Sequence, residues 1–360
     1  MFDPDIEFNY LKILNQYIYD MIVVMANMKE ITREFRKLSI VTIGGGHGLS
    51  SLLRGLKKVT RNITAVVTVA DNGGSSGALR RDMGILPPGD IRSCLTALAD
   101  DEEFMTQVLQ YRFSSASGVG QHNMGNLLLT ALADITGSFE QGIHELASIL
   151  AIRGKVTPST LADIDLAADI EILKDGVPET VRVTGESQIT ETYGHIIRCW
   201  IEPENVSANP EAIRAILNAD YLLMGPGSLY TSILPNLLVP GIASAVAASS
   251  AKKLYICNLT SQPGETDNMD SADHISIMRS YLPDTELDGM VCNDFYSDSL
   301  PNNVSWCKIS AKQDCHIRVF EGNLVNENYP WRHDPDKLTN ILIQAWEALK
   351  TPSEQPLQNG

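Results

Sequence analysis

The N-terminal part of the sequence lacks both an apolar stretch that could span a membrane and the positive charge of a secretory signal. Its longest apolar run, Met21–Ala26, is far shorter than the roughly 20 residues that a spanning helix needs. The chain opens with the acidic residues Asp3, Asp5 and Glu7, where a signal peptide carries basic residues. We therefore expect a cytoplasmic protein without membrane insertion.

Cysteine is scarce. The six cysteines, at positions 94, 199, 257, 292, 307 and 315, show neither C-x-x-C spacing nor the compact pattern of a disulfide framework. We expect them to be reduced thiols, as is usual in the cytosol.

Basic residues are also in short supply. The chain has 28 lysines and arginines against 44 acidic residues, a net charge of −16. Such a charge opposes non-specific attraction to nucleic acid and to anionic membrane surfaces, so we expect no nucleic-acid partner. A phosphate group would have to be held by local geometry rather than by net charge.

What the sequence does contain is an alternation of apolar, β-branched runs with helical stretches, beginning at Leu38. The predicted strands are Ser39–Ile43, Ile63–Ala70, Tyr221–Met224, Leu254–Asn258 and Gly289–Asn293. Most are continuously apolar, as parallel strands covered on both faces are. Helical spacing occurs over Thr106–Tyr111, Asn126–Ile135 and Phe139–Leu150. The pattern predicts an α/β fold, a Rossmann-like, doubly wound and mainly parallel sheet.

Three parts of the chain depart from this alternation. Residues 1–37 are predicted to form a helical N-terminal extension, and 350–360 a disordered tail rich in Pro, Gln and Gly. Between them, 38–349 form a single α/β domain. Within it, residues 155–204 carry alternating runs separated by turn signals such as Lys174-Asp175-Gly176, which predicts an antiparallel β insertion.

The first candidate for chemistry is Gly44-Gly45-Gly46-His47-Gly48, which joins a predicted strand to a predicted helix. Glycines let a ligand approach the backbone, and the free N–H groups and dipole of a helix start favour an anion. The motif is neither G-x-G-x-x-G nor a Walker A loop, so it does not specify the ligand. A tight βα turn that binds nothing is the alternative.

A second turn, Asp71–Gly77, follows the next predicted strand. Neighbouring parallel strands open into a common crevice at their carboxyl ends, so we expect this turn beside the first. Asp71 is suited to accept hydrogen bonds from a ribose or to hold a metal-bound diphosphate. Asp-Asn-Gly-Gly is also an ordinary turn composition.

Polar side chains at two predicted helix starts can each be interpreted as helix caps or as ligand contacts. Asp90 is either an N-cap or a site residue, and Arg92 is suited to a bidentate phosphate contact if its helix end faces the crevice. Asn123 and Asn126, within Gln121–Asn126, either cap a helix or contact a base or sugar.

The segment Gly225–Ser232 repeats the arrangement of the first turn, with a strand before it and hydroxyl side chains at the following helix start. Farther along, Cys257–Asp267 leaves another strand end and is predicted to form a lid or wall of the crevice. His274, near the start of a later helix, is interpreted as part of its cap.

Six segments, in this order, resemble the CofD-like family, and specifically its YvcK or gluconeogenesis-factor branch. They are Gly44–Leu49, Asp71–Gly77, Pro88–Arg92, His122–Leu127, Gly225–Ser232 and Trp331–Asp334. The resemblance implies a Rossmann-like core. CofD is a 2-phospho-L-lactate transferase, whereas the YvcK branch binds UDP-sugars such as UDP-N-acetylglucosamine and is associated with gluconeogenic growth and cell shape.

The turns and the resemblance together define a nucleotide and phosphate site. Its residues are Gly45, Gly46, His47, Gly48, Asp71, Asn72, Gly73, Ser75, Ser76, Asp90, Arg92, Asn123, Asn126, Gly225, Gly227, Ser228, Ser232 and Arg332. The sequence departs from the family pattern in its N-terminal extension and at Asn72, where many relatives have a second aspartate. One carboxylate fewer makes a two-aspartate metal site harder to build.

We therefore expect a regulatory protein that binds a nucleotide sugar without turnover, needs no cofactor and forms a homodimer. The sequence shows no evident nucleophile with a partner general base, and no evident metal-binding cluster. The alternative is a metal-dependent phospho- or nucleotidyl-transferase in which Asp71 or Asp90 holds Mg²⁺. A third reading, an NAD-dependent dehydrogenase, depends on the fold alone.

Overall fold

The computed structural model describes residues 28–114, 120, 122–297, 300–310 and 317–350. Most of the predicted N-terminal extension and nearly all of the predicted tail lie outside these residues. Within the described part of the extension, residues 28–35 are helical and are called α1.

The remaining elements follow in chain order. Strands β1 to β10 cover Ile40–Gly44, Ile63–Val67, Lys155–Pro158, Asp165–Lys174, Val177–Thr184, His195–Glu202, Tyr221–Met224, Lys252–Ile256, Gly289–Asn293 and Arg318–Gly322. Helices α2 to α13 cover Gly46–Val59, Gly74–Met83, Gly89–Leu98, Glu102–Gln110, Met124–Thr136, Phe139–Ile149, Glu186–Glu191, Pro210–Leu217, Leu234–Leu237, Ile242–Ala248, Ser271–Tyr281 and Pro335–Lys350. A π-helical turn, Leu229–Ile233, precedes α10.

Seven strands form one sheet in the order β10-β9-β8-β7-β1-β2-β3, and every pair in it is parallel. From β1 the chain proceeds outward to β2 and β3, and then returns to place β7 on the other side of β1. The strand order therefore reverses between β1 and β7. In an open α/β sheet such a reversal leaves a crevice beyond the carboxyl ends of the two strands, where ligands bind.

Both faces of this sheet are covered. Ile43 and Met224 point into one apolar core, whereas Ile40, Tyr221 and Leu223 point into the other. This double burial explains why the strands are continuously apolar in the sequence, and the predicted doubly wound α/β fold is confirmed.

A smaller antiparallel sheet has the order β5-β4-β6. Its hairpin turns at Asp175 and Gly176, both with positive φ (53° and 79°), so Lys174 pairs with Val177. This is the two-residue turn predicted from Lys174-Asp175-Gly176. The antiparallel part begins at Asp165 rather than near residue 155, because Lys155–Pro158 pairs with β2 as the edge of the parallel sheet.

All five predicted strands occur in the parallel sheet, with ends shifted by up to three residues. The sequence prediction missed both edge strands, β3 and β10, which are less apolar than the central ones. Within the described residues, no single helix is long and apolar enough to span a membrane. One bent pair, Leu229–Leu237 with Ile242–Ala248, meets the length and composition criteria together.

Candidate functional site

A cleft of about 610 Å³ lies at the carboxyl ends of the parallel strands, above the point where the strand order reverses. Its rim is built from the turns after β1 and β7 and from the segment after β8. The lining residues are Gly45, Gly46, His47, Gly48, Ser51, Asp71, Asp90, Glu186, Thr190, Pro226, Gly227, Ser228, Thr231, Ser232, Asn258, Leu259, Thr260, Ser261, Gln262, Pro263, Glu265, Pro301, Val304, Trp331, Arg332 and His333.

The turn after β1 presents the start of α2 to the cleft. Gly45 is the N-cap of α2 and offers no side chain to the first-turn N–H groups, and Gly46 has a positive φ of 63°. The N–H of Gly46 donates to the carboxylate of Asp90. A helix N-terminus of this kind favours an anion, and a carboxyl oxygen of Asp90 takes up one of its N–H groups.

The turn after β7 packs tightly against the turn after β1. A Cβ at Gly48 would lie 2.5 Å from the carbonyl oxygen of Pro226, so only glycine permits this approach. Gly227 has a φ of 157°, and its N–H donates to Oδ1 of Asn258 over 3.2 Å. Ser228 then caps the π-helical turn by accepting from the N–H of Thr231.

Four carboxyl groups line the cleft among the described residues: Asp71, Asp90, Glu186 and Glu265. Burial, and then the nearby charge of Asp71, raise the pKa of Asp90 to about 7. Burial, followed by the charges of Asp71, Asp90 and Glu265, raises the pKa of Glu186 to about 9. A protonated Glu186 is a hydrogen-bond donor, so near neutral pH this side of the cleft is less negative than its composition suggests.

Glu265 is almost completely buried, with 5% of its surface exposed. The hydroxyl of Ser228 donates to one of its carboxylate oxygens, and that of Thr231 donates to the other over 3.4 Å. Burial raises the pKa of Glu265 to about 7, and the two hydroxyl contacts oppose that rise. Glu265 therefore connects the wall after β8 to the turn after β7.

Cationic and aromatic side chains stand at the mouth of the cleft. The guanidinium of Arg332 lies 5.3 Å from the ring centre of Tyr329, and the side chain is exposed. The pKa of His47 is lowered by burial and then by the charge of Arg332, so His47 is mainly neutral at pH 7. Arg332 is therefore the main positive charge among the lining residues.

Of the eighteen predicted site residues, ten line the cleft, and they come from five separate parts of the chain. These are Gly45, Gly46, His47, Gly48, Asp71, Asp90, Gly227, Ser228, Ser232 and Arg332. The other eight, Asn72, Gly73, Ser75, Ser76, Arg92, Asn123, Asn126 and Gly225, lie outside its lining.

Several of these eight residues have definite partners. Asn72 donates to Gln188 and accepts from the N–H of Ser187, so it holds α8, and with it Glu186, against the cleft. Ser75 accepts from Asn126 over 3.0 Å, and Asn123 caps α6, so this group is a buried hydrogen-bonded cluster.

Two interpretations of helix caps need correction. The N-cap of α4 is Pro88, so Asp90 sits in the first turn and its side chain is free to reach the turn after β1. The N-cap of α12 is Asp270, which forms a capping box with Asp273, and His274 has no part in it. The side chain of His274 is instead bonded to Tyr255.

Sequence reasoning missed Glu186 and Glu265, the two most unusual groups of the cleft. Glu186 enters from the antiparallel insertion. Each glutamate follows a glycine with positive φ, Gly185 or Gly264, but neither stands at the carboxyl end of a strand of the parallel sheet. The segment Cys257–Asp267 was predicted to form a lid or wall, and Asn258–Pro263 and Glu265 do line one side of the cleft. Position in that segment was the only available signal for Glu265.

Comparison with known proteins assigns the family. The family model of the 2-phospho-L-lactate transferase CofD matches residues 40–347. This chain belongs to the CofD family. It is 45% identical to a gluconeogenesis factor of Bacillus subtilis, over 86% of this chain and 98% of that protein. It is also 45% identical to a putative gluconeogenesis factor of a Nostoc species, over 87% of this chain and 69% of that protein.

A solved structure agrees with the fold. A UPF0052-family protein from Bacillus halodurans superposes with a TM-score of 0.77 at 38% identity, covering 85% of this chain and 99% of that one. As a CofD family member, the chain thus shares its architecture with relatives that carry the gluconeogenesis-factor name. The resemblance inferred from the six sequence segments is confirmed.

Proposed function

We propose that this CofD family member is a regulatory protein that binds a nucleotide sugar in the cleft, in the manner of a UDP-N-acetylglucosamine sensor linked to carbon metabolism and cell shape. The observation that carries the proposal is the pair of glycine turns in contact at the reversal point of the sheet. Apart from the N–H groups of Gly46 and Gly227, which bond to Asp90 and Asn258, the backbone N–H groups where the two helices begin are suited to bind a single diphosphate. The names of the similar gluconeogenesis factors favour a role in carbon metabolism.

The rest of the cleft is suited to the other parts of such a ligand. The wall after β8 presents amide and hydroxyl groups from Asn258, Thr260 and Gln262, which match the hydroxyls of a sugar or the edge of a base. Arg332 at the mouth supplies a charge for a phosphate. Protonated Glu186 adds a donor where an ionised carboxylate would repel the ligand.

Titration calorimetry with UDP-N-acetylglucosamine, UDP and NAD tests this proposal. We expect saturable heat with the nucleotide sugar and weaker heat with UDP, because UDP lacks the sugar that contacts the wall. NAD should give the weakest response. Absence of heat with all three ligands would contradict the proposal.

Arg332→Gln is expected to weaken nucleotide-sugar binding about tenfold, because a charge-assisted hydrogen bond contributes roughly 1.5 kcal/mol. Arg332 is exposed, so the fold should be unaffected. Arg61→Gln is the matched control, since Arg61 is exposed next to the amino end of β2, at the opposite end of that strand from the cleft. Equal affinities of the two variants would exclude the phosphate role of Arg332.

A second candidate is a metal-dependent transferase, favoured by the four carboxyl groups and by the name of the family. The asparagine at position 72, where many relatives have an aspartate, still leaves four carboxyl groups in the cleft. The side chain of Asn72 bonds to α8 and does not line the cleft. Among the described residues, however, no three of the cleft carboxylates bring oxygens within 4.8 Å of one another. Mg²⁺ would thus rest on Asp71 or Asp90 together with ligand phosphates, which suits its preference for few protein ligands.

The transferase hypothesis predicts that reaction products form. Incubation of the protein with Mg²⁺, nucleoside diphosphate compounds and a panel of acceptors, followed by mass spectrometry, is the direct assay. New masses that disappear in Asp90→Asn would support catalysis over sensing. Unchanged substrates across the panel would remove the transferase candidate.

A further inference from the structure

Behind the wall of the cleft lies a buried group of sulfur and nitrogen atoms that the nucleotide site does not use. Cys257 follows β8, His274 lies on α12, and Cys307 precedes the last two elements of the sheet domain. One candidate ligand atom from each lies within 4.8 Å of the other two. All three side chains are buried, and His274 has no exposed surface.

The two sulfurs are spaced like ligands of one metal ion. Sγ of Cys257 and Sγ of Cys307 are 3.5 Å apart. A disulfide would place them about 2.05 Å apart. Two thiolates on one tetrahedral Zn²⁺, each with a bond of about 2.3 Å, are separated by about 3.8 Å. The observed spacing is much closer to the second value.

The histidine is oriented as a metal ligand. Its Nδ1 is hydrogen-bonded to the hydroxyl of Tyr255 over 2.8 Å, whereas its Nε2 is buried without a hydrogen-bond partner. When Nδ1–H donates to the tyrosine oxygen, Nε2 carries the lone pair that coordinates metal, the arrangement typical of metal-binding histidines. His274 also interacts with the thiol of Cys307, so the ring and the sulfur are already placed toward each other.

Cys292 lies beside this group, although its sulfur is not within 4.8 Å of all three of the other ligand atoms. Cys257 donates its N–H to the carbonyl of Val291 on the neighbouring strand, so Cys292 stands beside it in the sheet. The thiols of these two cysteines also interact. Cys292 is buried, with 2% of its surface exposed.

We propose that Cys257, His274 and Cys307 form a buried site for a thiophilic divalent cation, zinc, with Cys292, which contacts Cys257 but lies outside this group of three, as the candidate fourth donor. Binding replaces the thiol protons, which leave to solvent, by bonds from thiolate sulfur to the metal. The N–H of Cys307 donates to the carbonyl of Leu259 over 2.9 Å, and Asn258 follows Cys257 directly. A bound ion would therefore link the segment after β8, which forms the cleft wall, to α12. This role does not depend on which ligand the cleft binds.

The test uses the full chain without a polyhistidine tag, purified with reductant. We expect elemental analysis to find one zinc per chain. Cobalt replacement should produce the visible and thiolate-to-metal absorption bands of a tetrahedral sulfur site. Cys307→Ser should lower zinc content at least tenfold, in line with loss of a ligand. Cys94→Ser, which changes a buried thiol outside the group, should retain the full content.

If Cys307→Ser does not fold, the absorption spectrum of the cobalt-loaded wild-type protein tests the proposal by itself. Reduced wild-type protein that binds cobalt without thiolate charge-transfer bands would overturn the proposal. So would peptide mass spectrometry that finds Cys257 joined to Cys307 as a disulfide in zinc-free protein, or equal zinc content in the Cys307 and Cys94 variants.

Discussion

Gly48→Ala is expected to abolish nucleotide-sugar binding and to lower the free energy of unfolding by about 1–3 kcal/mol. The added Cβ would lie 2.5 Å from the carbonyl oxygen of Pro226 and 2.9 Å from Cα of Gly227. Both are backbone atoms and cannot rotate away, so the two turns must separate. The better helix propensity of alanine, about 1 kcal/mol, opposes this effect without offsetting the loss of the binding geometry.

The matched control is Gly44→Ala, four residues earlier in the same motif. A Cβ at Gly44 would meet its nearest neighbours at 3.8 Å, which is ordinary van der Waals contact. Chemical denaturation measures the stability of both variants, and calorimetry with UDP-N-acetylglucosamine measures their affinity. Wild-type affinity in Gly48→Ala would show that contact between the two turns is not needed for the ligand.

Glu186→Gln should become progressively more stable than the wild type as the pH rises. Folded Glu186 keeps its proton up to about pH 9, whereas the unfolded residue ionises near its ordinary value of 4.5. Between these values, raising the pH therefore favours the unfolded wild-type chain. Glutamine removes this term, so the stability difference should grow by about 3 kcal/mol between pH 6.5 and 9.

Other groups titrate in this range, and the contributions of those that do not interact with Glu186 cancel in the comparison of the two proteins. Glu191→Gln serves as the control because Glu191 is exposed at the end of the same helix, α8. Denaturant titrations at pH 6.5, 7.5 and 9 give the free energy of unfolding of each protein at each pH. A difference between Glu186→Gln and the wild type that stays constant with pH would show that Glu186 is ionised throughout.

The architecture was largely predictable because its signals are local. Ile40–Gly44 and Tyr221–Met224 are apolar along their whole length since both faces of a central parallel strand are covered. The hairpin at Asp175-Gly176 was equally readable, because only a few residue types tolerate two successive positive φ angles. The edge strands β3 and β10 lack that apolar signature and were missed.

The candidate site was predictable only in part. Glycine turns at strand ends mark where a crevice opens, and the turns after β1 and β7 do meet there. The sequence cannot say which way a polar side chain near such a turn points. Asn72 turns away from the cleft to hold α8, while Asp90 reaches across to the N-terminus of α2.

The sequence by itself determined the order of strand, glycine turn and helix, and with it the family and the place of the crevice. Only the tertiary structure brought Glu186 and Glu265 into the cleft, and gathered Cys257, His274 and Cys307 behind it. The reason is physical: backbone propensity acts between near neighbours in the chain. Burial, raised carboxyl pKa values and metal-ligand spacing arise between residues that are distant in sequence.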